Sequence, residues 1–290
     1  MPRRSPFTAL CQTLSRPAQT DRADLHVHST HSDGLYTPAE LIDLACRSGL
    51  AALAITDHDT LAAIPDARAA AAGRGLEVIP AVEITADFDG REVHLLAYFV
   101  DPDDGPLLAA LARLRHARVS RFREMFDKLR AAGVPLCEED VPIAPLETLG
   151  RPHLARLIVG AGRAGSVREA IQRYLLDGSP FVVPKVRLPL GEATALVRDA
   201  GGVSSLAHPW HQTTRDQLKA MCNVGLTAVE VEYPDFKSAR ARQLRTWASE
   251  LGLAVSGGSD CHGPGRRPVG SHTVSRAELD ALRALSRRPV

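Results

Sequence analysis

The sequence predicts an α/β fold, either a parallel β/α barrel or a doubly wound sheet, interrupted by a helical insertion. Three observations lead there. Short apolar runs alternate with helix-patterned stretches, the rhythm of strand–helix–strand units. Run after run ends in polar residues of a few kinds: His26/His28, Asp57/His58, Glu83, His208 and Asp260/His262. In an α/β barrel the C-terminal strand ends share one rim, where catalytic groups converge. From about residue 103 to 180 the alternation gives way to helical patterning alone.

The ordered chain opens on Asp24 to Gly34, where His26 and His28 flank Val27 on a short strand and therefore share a face. Asp33 follows in a Ser-Asp-Gly turn. Thr37, Pro38 and Glu40 then read as a capping box with proline at the first helical position. Residues 50–56 form a nearly all-apolar run, the sign of a strand buried on both faces, ending in Asp57-His58-Asp59. An Ala-rich helix leads to a strand at 76–85 that carries Glu83. Asp89-Gly90 is a two-residue hairpin signal. A turn that tight pairs Phe88 with Arg91 and Thr85 with His94, which sets Glu83 diagonal to His94 on one face.

In the helical stretch, Leu107, Leu111, Leu114, Phe122, Phe126 and Leu129 make a core-facing stripe. Arg113, Arg115, Arg118, Arg121, Arg123, Lys128 and Arg130 make the other face. Such a face is usually solvated; the sharper reading is a basic wall that draws in a polyanion. A Pro-rich link at 134–145 leads to Arg151-Pro152-His153, a helix start whose free N–H groups favour an anion. The α/β rhythm then resumes, with strands expected at 181–186, 203–207, 228–233 and 254–256, a helix at 190–200 and a last helix at 277–285.

Composition narrows the function. The chain has 290 residues, enough for one large domain, and a formal charge of +1, which gives no global field for nucleic acid. Five cysteines without a Cys-x-x-Cys pair argue against a disulfide framework or a zinc knuckle and fit a reducing cytoplasm. No apolar run reaches the roughly 18 residues of a membrane span. Residues 1–21 read as a disordered tail. The clustered donors are His, Asp and Glu without thiolate, which suits Mn, Fe or Zn. They outnumber what one ion needs, so two or three divalent ions are expected.

The ordered motifs Asp-Leu-His-Val-His-Ser, Ser-Asp-Gly, Ile-Thr-Asp-His-Asp, Val-Glu-Ile-Thr, Val-His-Leu-Leu, Ala-His-Pro and Ser-Asp-Cys-His-Gly resemble those of the PHP (polymerase and histidinol phosphatase) family across residues 24–270. The resemblance implies a distorted seven-stranded β/α barrel built from residues 22–102 and 181–290, with residues 103–180 as an inserted helical cap. It implies a three-metal site, Mn²⁺ first and Zn²⁺ or Fe²⁺ next. The ligands would be His26, His28, Asp33, His58, Glu83, His94, His208, Asp260 and His262, with Glu83 and Asp260 bridging. Asp24 and Asp57 would orient the histidines, and His31 falls outside the motif.

Gly-Arg-Pro-His-Leu-Ala and Val-Val-Pro-Lys resemble the stand-alone branch of that family. Its members remove the 3′-phosphate of nucleoside 3′,5′-bisphosphates, and some trim short RNA from the 5′ end. That resemblance gives Arg151 and His153 the substrate phosphate, with Lys185 behind them, and attack by a metal-bridging hydroxide. Trp210 and His211 depart from the branch, which has a small residue there; an indole at the rim narrows the pocket. The expected partner is a small phosphorylated nucleotide or short RNA, with no membrane and no obligate protein partner. The rivals are a phosphatase of another small phosphomonoester such as histidinol phosphate, a metal-dependent amidohydrolase, and a non-catalytic PHP module, which would have lost ligands.

Overall fold

The computed structural model describes residues 21–141 and 149–287. The expected tail lies almost wholly outside them, as does the end of the Pro-rich link. Nine strands form one mixed sheet: β1 (Arg22–Val27), β2 (Ala52–Ile55), β3 (Glu77–Phe88), β4 (Arg91–Tyr98), β5 (Leu188–Pro189), β6 (Val203–Leu206), β7 (Ala228–Glu232), β8 (Ala254–Gly257) and β9 (Val274–Ser275). The order is β8-β7-β6-β4-β3-β2-β1-β9, with β5 on β3. Seven strands make the wall, because β5 and β9 are two-residue additions.

The two ends of this order meet. His28 N–H donates to the Cys261 carbonyl (2.9 Å) and Asp260 N–H to the His26 carbonyl (2.7 Å), so the sheet nearly closes into a barrel. β4 runs antiparallel to β3 and β6, while β1–β2–β3 and β6–β7–β8 are parallel. That reversed strand is the distortion. It follows from the Asp89-Gly90 turn, whose residues both take positive φ (54° and 75°) as a two-residue hairpin requires. Phe88 pairs with Arg91, Thr85 with His94 and Glu83 with Leu96, the register expected from the turn.

Helices α1 (Pro38–Arg47) and α2 (Ile64–Ala71) cover β1–β3 through Leu41, Ile42, Leu53, Ile55 and Ala67. The Thr37 hydroxyl accepts the Glu40 N–H (3.3 Å), and the Glu40 carboxylate accepts the Thr37 N–H (2.8 Å), closing the predicted capping box. α6 (Leu190–Asp199), α7 (Arg215–Asn223), α8 (Ser238–Leu251) and the first half of α3 (Gly105–Ala131) pack over the rest of the barrel. α9 (Arg276–Ala284) seats Leu279 and Leu282 against Ala23 and Leu25.

The second half of α3 joins α4 (Arg151–Gly160) and α5 (Val167–Tyr174) around a separate core that includes Phe122, Phe126, Leu154 and Ile158. The stripe read from the sequence thus serves two cores. The opposite face of α3 is divided too. Arg113, Arg123, Lys128 and Arg130 pair with Glu192, Glu138 and Glu124 near solvent. Arg118 and Arg121 turn inward instead.

One expected strand is absent. Residues 182–187 run without a ladder partner, and pairing begins only at Leu188. Pro184 lacks the N–H that a ladder needs, and the Val183 carbonyl is taken by Arg121 Nε (2.6 Å).

Candidate metal centre

On the alternating strand geometry the lumen faces of β3 and β4 run from apolar to polar: Ile79 and Ala81 lead to Glu83, and Tyr98 and Leu96 lead to His94. The polar end is the rim. β1 adds His26 and His28, both fully buried, with Nε2 atoms 3.2 Å apart. Each Nε2 lies 3.4 Å from Asp260 Oδ1, and Glu83 Oε2 stands 3.6 Å from His26 and 3.2 Å from His28.

Glu83 joins two groups of donors. Its Oε1 faces His94 Nδ1 (2.8 Å) and His208 Nε2 (3.1 Å), while Oε2 faces His28 and His58 Nδ1 (3.2 Å). Asp33 forms a third corner, 3.2 Å from His262 Nε2 and within 3.9 Å of His28 and His58. All nine residues expected as ligands therefore converge. His31 does not, lying near Asp66 (3.8 Å). The backbone is strained where donors leave their strands: His208 and Asp260 take φ of 26° and 50°, which costs energy that the surrounding packing must hold.

Bridging geometry differs between the two carboxylates expected to bridge. Glu83 offers one oxygen to each donor group. Asp260 offers only Oδ1, because Oδ2 accepts from Tyr233 Oη (2.9 Å) and from Arg267 Nη1. Among the described residues Asp24 makes no hydrogen bond to an imidazole ring: its oxygens accept backbone N–H groups of Ser259 (2.9 Å), Gly270 (2.8 Å) and His26 (3.3 Å), the last fixing the His26 backbone. Asp57 binds Ser29 and Ser32, and Ser32 Oγ in turn lies 3.4 Å from His28 Nδ1. The residue that fixes the His26 ring is Glu230, missed from the sequence. It takes His26 Nδ1 at 3.0 Å and the His208 N–H at 2.6 Å. Its signal was a glutamate alternating with valine in an apolar strand. Glu92 plays the same part for His94 Nε2 (3.1 Å).

Burial opposes every charge here, and opposite neighbours outweigh it for most groups. Asp33, Glu83 and Asp260 are held well below the carboxylate range by surrounding histidines despite desolvation. His28 and His94 are raised, to about 10 and about 9, because adjacent carboxylates overcome burial. His58 goes the other way, lowered by burial.

This arrangement fits divalent cations. Ligands about 2.0–2.1 Å from a tetrahedral ion stand roughly 3.3 Å from one another, close to the donor separations here. His58 Nδ1 and Asp33 Oδ1 are buried yet make no hydrogen bond, although partners lie 3.2 Å away. Such atoms point at a shared centre and not at each other. The donor chemistry, imidazole and carboxylate, excludes a thiolate site.

Beside the centre, a cavity of about 690 Å³ begins at His94 and His208. Arg91, Arg121, Arg151, Lys185 and Arg187 line it, against Asp89, Glu92 and Asp177. Arg151 pairs with Asp177 (3.0 Å) and Lys185 with Glu92. Arg121 donates to a carbonyl instead, and burial, with Arg151 and Arg118 nearby, lowers its guanidinium to about 10. His153 stands at the start of α4, where its Nδ1 accepts the Gly150 N–H (3.2 Å). The neutral ring therefore carries its proton on Nε2. α3 and α4 are tied to the rim by Arg118 on Asp59 (2.5 Å), Arg115 on the Asp59 carbonyl (2.9 Å) and Arg156 on the Asp33 carbonyl (3.4 Å).

The family model for the PHP domain matches residues 24–136. The chain is 33% identical over 273 residues to a 3′,5′-nucleoside bisphosphate phosphatase of Chromobacterium violaceum, an alignment covering 86% of this chain and 90% of that one. The chain belongs to the PHP family. Another relative of this PHP chain, a 5′-3′ exoribonuclease of Haemophilus influenzae, is 33% identical over 253 residues, covering 84% of this chain and 91% of the other. A solved structure assigned to a metal-dependent phosphoesterase of Bifidobacterium adolescentis superposes with a TM-score of 0.85 at 31% identity, covering 94% of this chain and 99% of that one. This PHP protein is a metal-dependent phosphoesterase, and its barrel is the distorted one expected.

Proposed function

We propose that this phosphoesterase removes the 3′-phosphate of nucleoside 3′,5′-bisphosphates. The observation that carries the reading is the cavity that starts at His94 and His208 and holds more cations than carboxylates. A nucleotide with two phosphate groups, each carrying about −1.5 to −2 charge at pH 7, suits that surplus; the ammonium of histidinol phosphate does not. The bisphosphate phosphatase relative, aligned over most of both chains, supports the same choice.

In this reading His26, His28, Asp33, His58, Glu83, His94, His208, Asp260 and His262 would hold two or three divalent cations, Mn²⁺ first. Such cations would supply Lewis-acid polarisation of the phosphoryl oxygens and would lower the pKa of a water toward neutrality. The protein's own groups do the rest. Arg151 and Lys185, on the cavity wall, orient the phosphate and offset charge on its oxygens. His153 presents an Nε2 proton to a phosphate oxygen or to the departing 3′-oxygen. Glu230 and Glu92 keep His26 and His94 turned toward the centre.

Short RNA is the second reading, favoured by the exoribonuclease relative and by the cations that line the cavity. The test is phosphate or nucleotide release with Mn²⁺ from adenosine 3′,5′-bisphosphate, histidinol phosphate and a short 5′-phosphorylated RNA. Adenosine 3′,5′-bisphosphate is expected to give the highest kcat/KM; fastest turnover of histidinol phosphate overturns the proposal.

A further inference from the structure

The cavity lining combines two chemistries. Its cations include Arg121, which lacks a carboxylate partner among the described residues. Its apolar side chains include Trp210, Pro209 and Met221, and Gln212 and Thr213 add an amide and a hydroxyl. A ligand matching both carries an anionic group and a flat apolar one with polar edges.

Trp210 is 45% exposed, and the other exposed large apolar side chains among the described residues are aliphatic. A half-buried indole on a cavity wall offers an apolar face to whatever occupies the cavity. Its backbone is not loose. The Trp210 carbonyl accepts from Arg240 Nη2 (2.7 Å) and from the Thr213 N–H (2.9 Å). Arg240 is itself anchored over the Trp247 ring (5.4 Å) and by the Thr213 carbonyl (3.2 Å). The ring is thus mounted on a pinned loop, two residues beyond His208. Two residues span at most roughly 7 Å, so the Trp210 backbone lies close to that of His208, and both residues line the same cavity.

We infer that Trp210 is the nucleobase platform of this enzyme, stacking the purine or pyrimidine while Arg121 receives the phosphate that is not cleaved. This rests on the nucleotide reading above and adds to it a determinant: the enzyme selects for a base, not only for a phosphate ester. Stacking tolerates any base, because every base presents a π face, so the platform favours nucleotides as a class without choosing among them.

Two measurements test this. The sequence has two tryptophans, Trp210 and Trp247, so a Trp247→Phe protein reports on Trp210 by fluorescence. Adenosine 5′-monophosphate is expected to quench that emission saturably and ribose 5-phosphate is not; equal responses, or none to either, overturn the inference. The second measurement is the ratio of kcat/KM for adenosine 3′,5′-bisphosphate to that for ribose 3,5-bisphosphate. Trp210→Ala is expected to lower this ratio about 5- to 150-fold, with Trp210→Phe retaining most of it. An unchanged ratio in Trp210→Ala overturns the platform. If the unmodified enzyme hydrolyses no nucleotide, the proposed function fails, and the fluorescence titration still decides whether a base stacks on Trp210.

Discussion

Tyr233 and Arg267 converge on one oxygen of Asp260, and Arg267 also stacks over the Tyr233 ring (5.0 Å) and pairs with Asp235 (2.6 Å). They hold Oδ2 away from the centre and aim Oδ1 at His26 and His28. Partners of this kind change metal affinity about 10- to 100-fold when removed. Tyr233→Phe should therefore weaken Mn²⁺ binding by about tenfold in titration calorimetry, with the fold intact by circular dichroism; unchanged affinity would show that Arg267 alone positions the carboxylate. At this scale the sequence was legible where a residue's type announced its chemistry. Histidines and carboxylates at strand ends, Asp33 in its turn and His94 on the hairpin were singled out. The resemblance to the PHP family implied nine of them as ligands, and those nine come together. Glu230 and Tyr233 were not read. Glu230 lies 204 residues from His26, and only the closed barrel brings them together.

The hairpin of β3 and β4 shows what an element contributes. A single Asp-Gly pair sets the register for eight residue pairs, and a slip by one would turn Glu83 and His94 out of the lumen. Gly90 takes a φ of 75°, and a Cβ there would meet nothing within 4 Å, so a substitution brings backbone strain without a clash. Gly90→Ala should cost about 1–2 kcal/mol, read as a lower urea midpoint at unchanged slope. A loss much larger than that would mean the register itself had moved. The segment at 182–187 went the other way. Its β-branched residues suggested a strand, but Pro184 and the Arg121–Val183 bond commit it to the cavity wall. Local propensity was legible there; its tertiary use was not.

For the whole molecule, the decisive feature is that both ends of the sheet order meet at the donor cluster. Gly258 makes this possible, since a Cβ there would come within 2.4 Å of the His26 backbone nitrogen. Cations held between β1 and the segment after β8 would bind the folded chain and not the unfolded one. Such a ligand at 100 times its Kd adds about 2.7 kcal/mol of stability. Chelation should accordingly lower Tm in a scan followed by fluorescence, and Mn²⁺ should restore it; a Tm indifferent to both would argue that the cations sit elsewhere. The barrel class was legible from alternation and strand-end chemistry, and the reversal of β4 against β3 from the Asp89-Gly90 turn, whereas the antiparallel pairing of β4 with β6 on its other side was not.

The meeting of His26 and His28 with Asp260, Cys261 and His262 also bears on when the protein becomes competent. During synthesis the two histidines emerge early and wait through more than 230 residues for the oxygen they face. Fragments left by interrupted translation or by proteolysis before Asp260 carry most of the donors and no closed centre. Closure of the centre is thereby coupled to completion of the chain through Asp260.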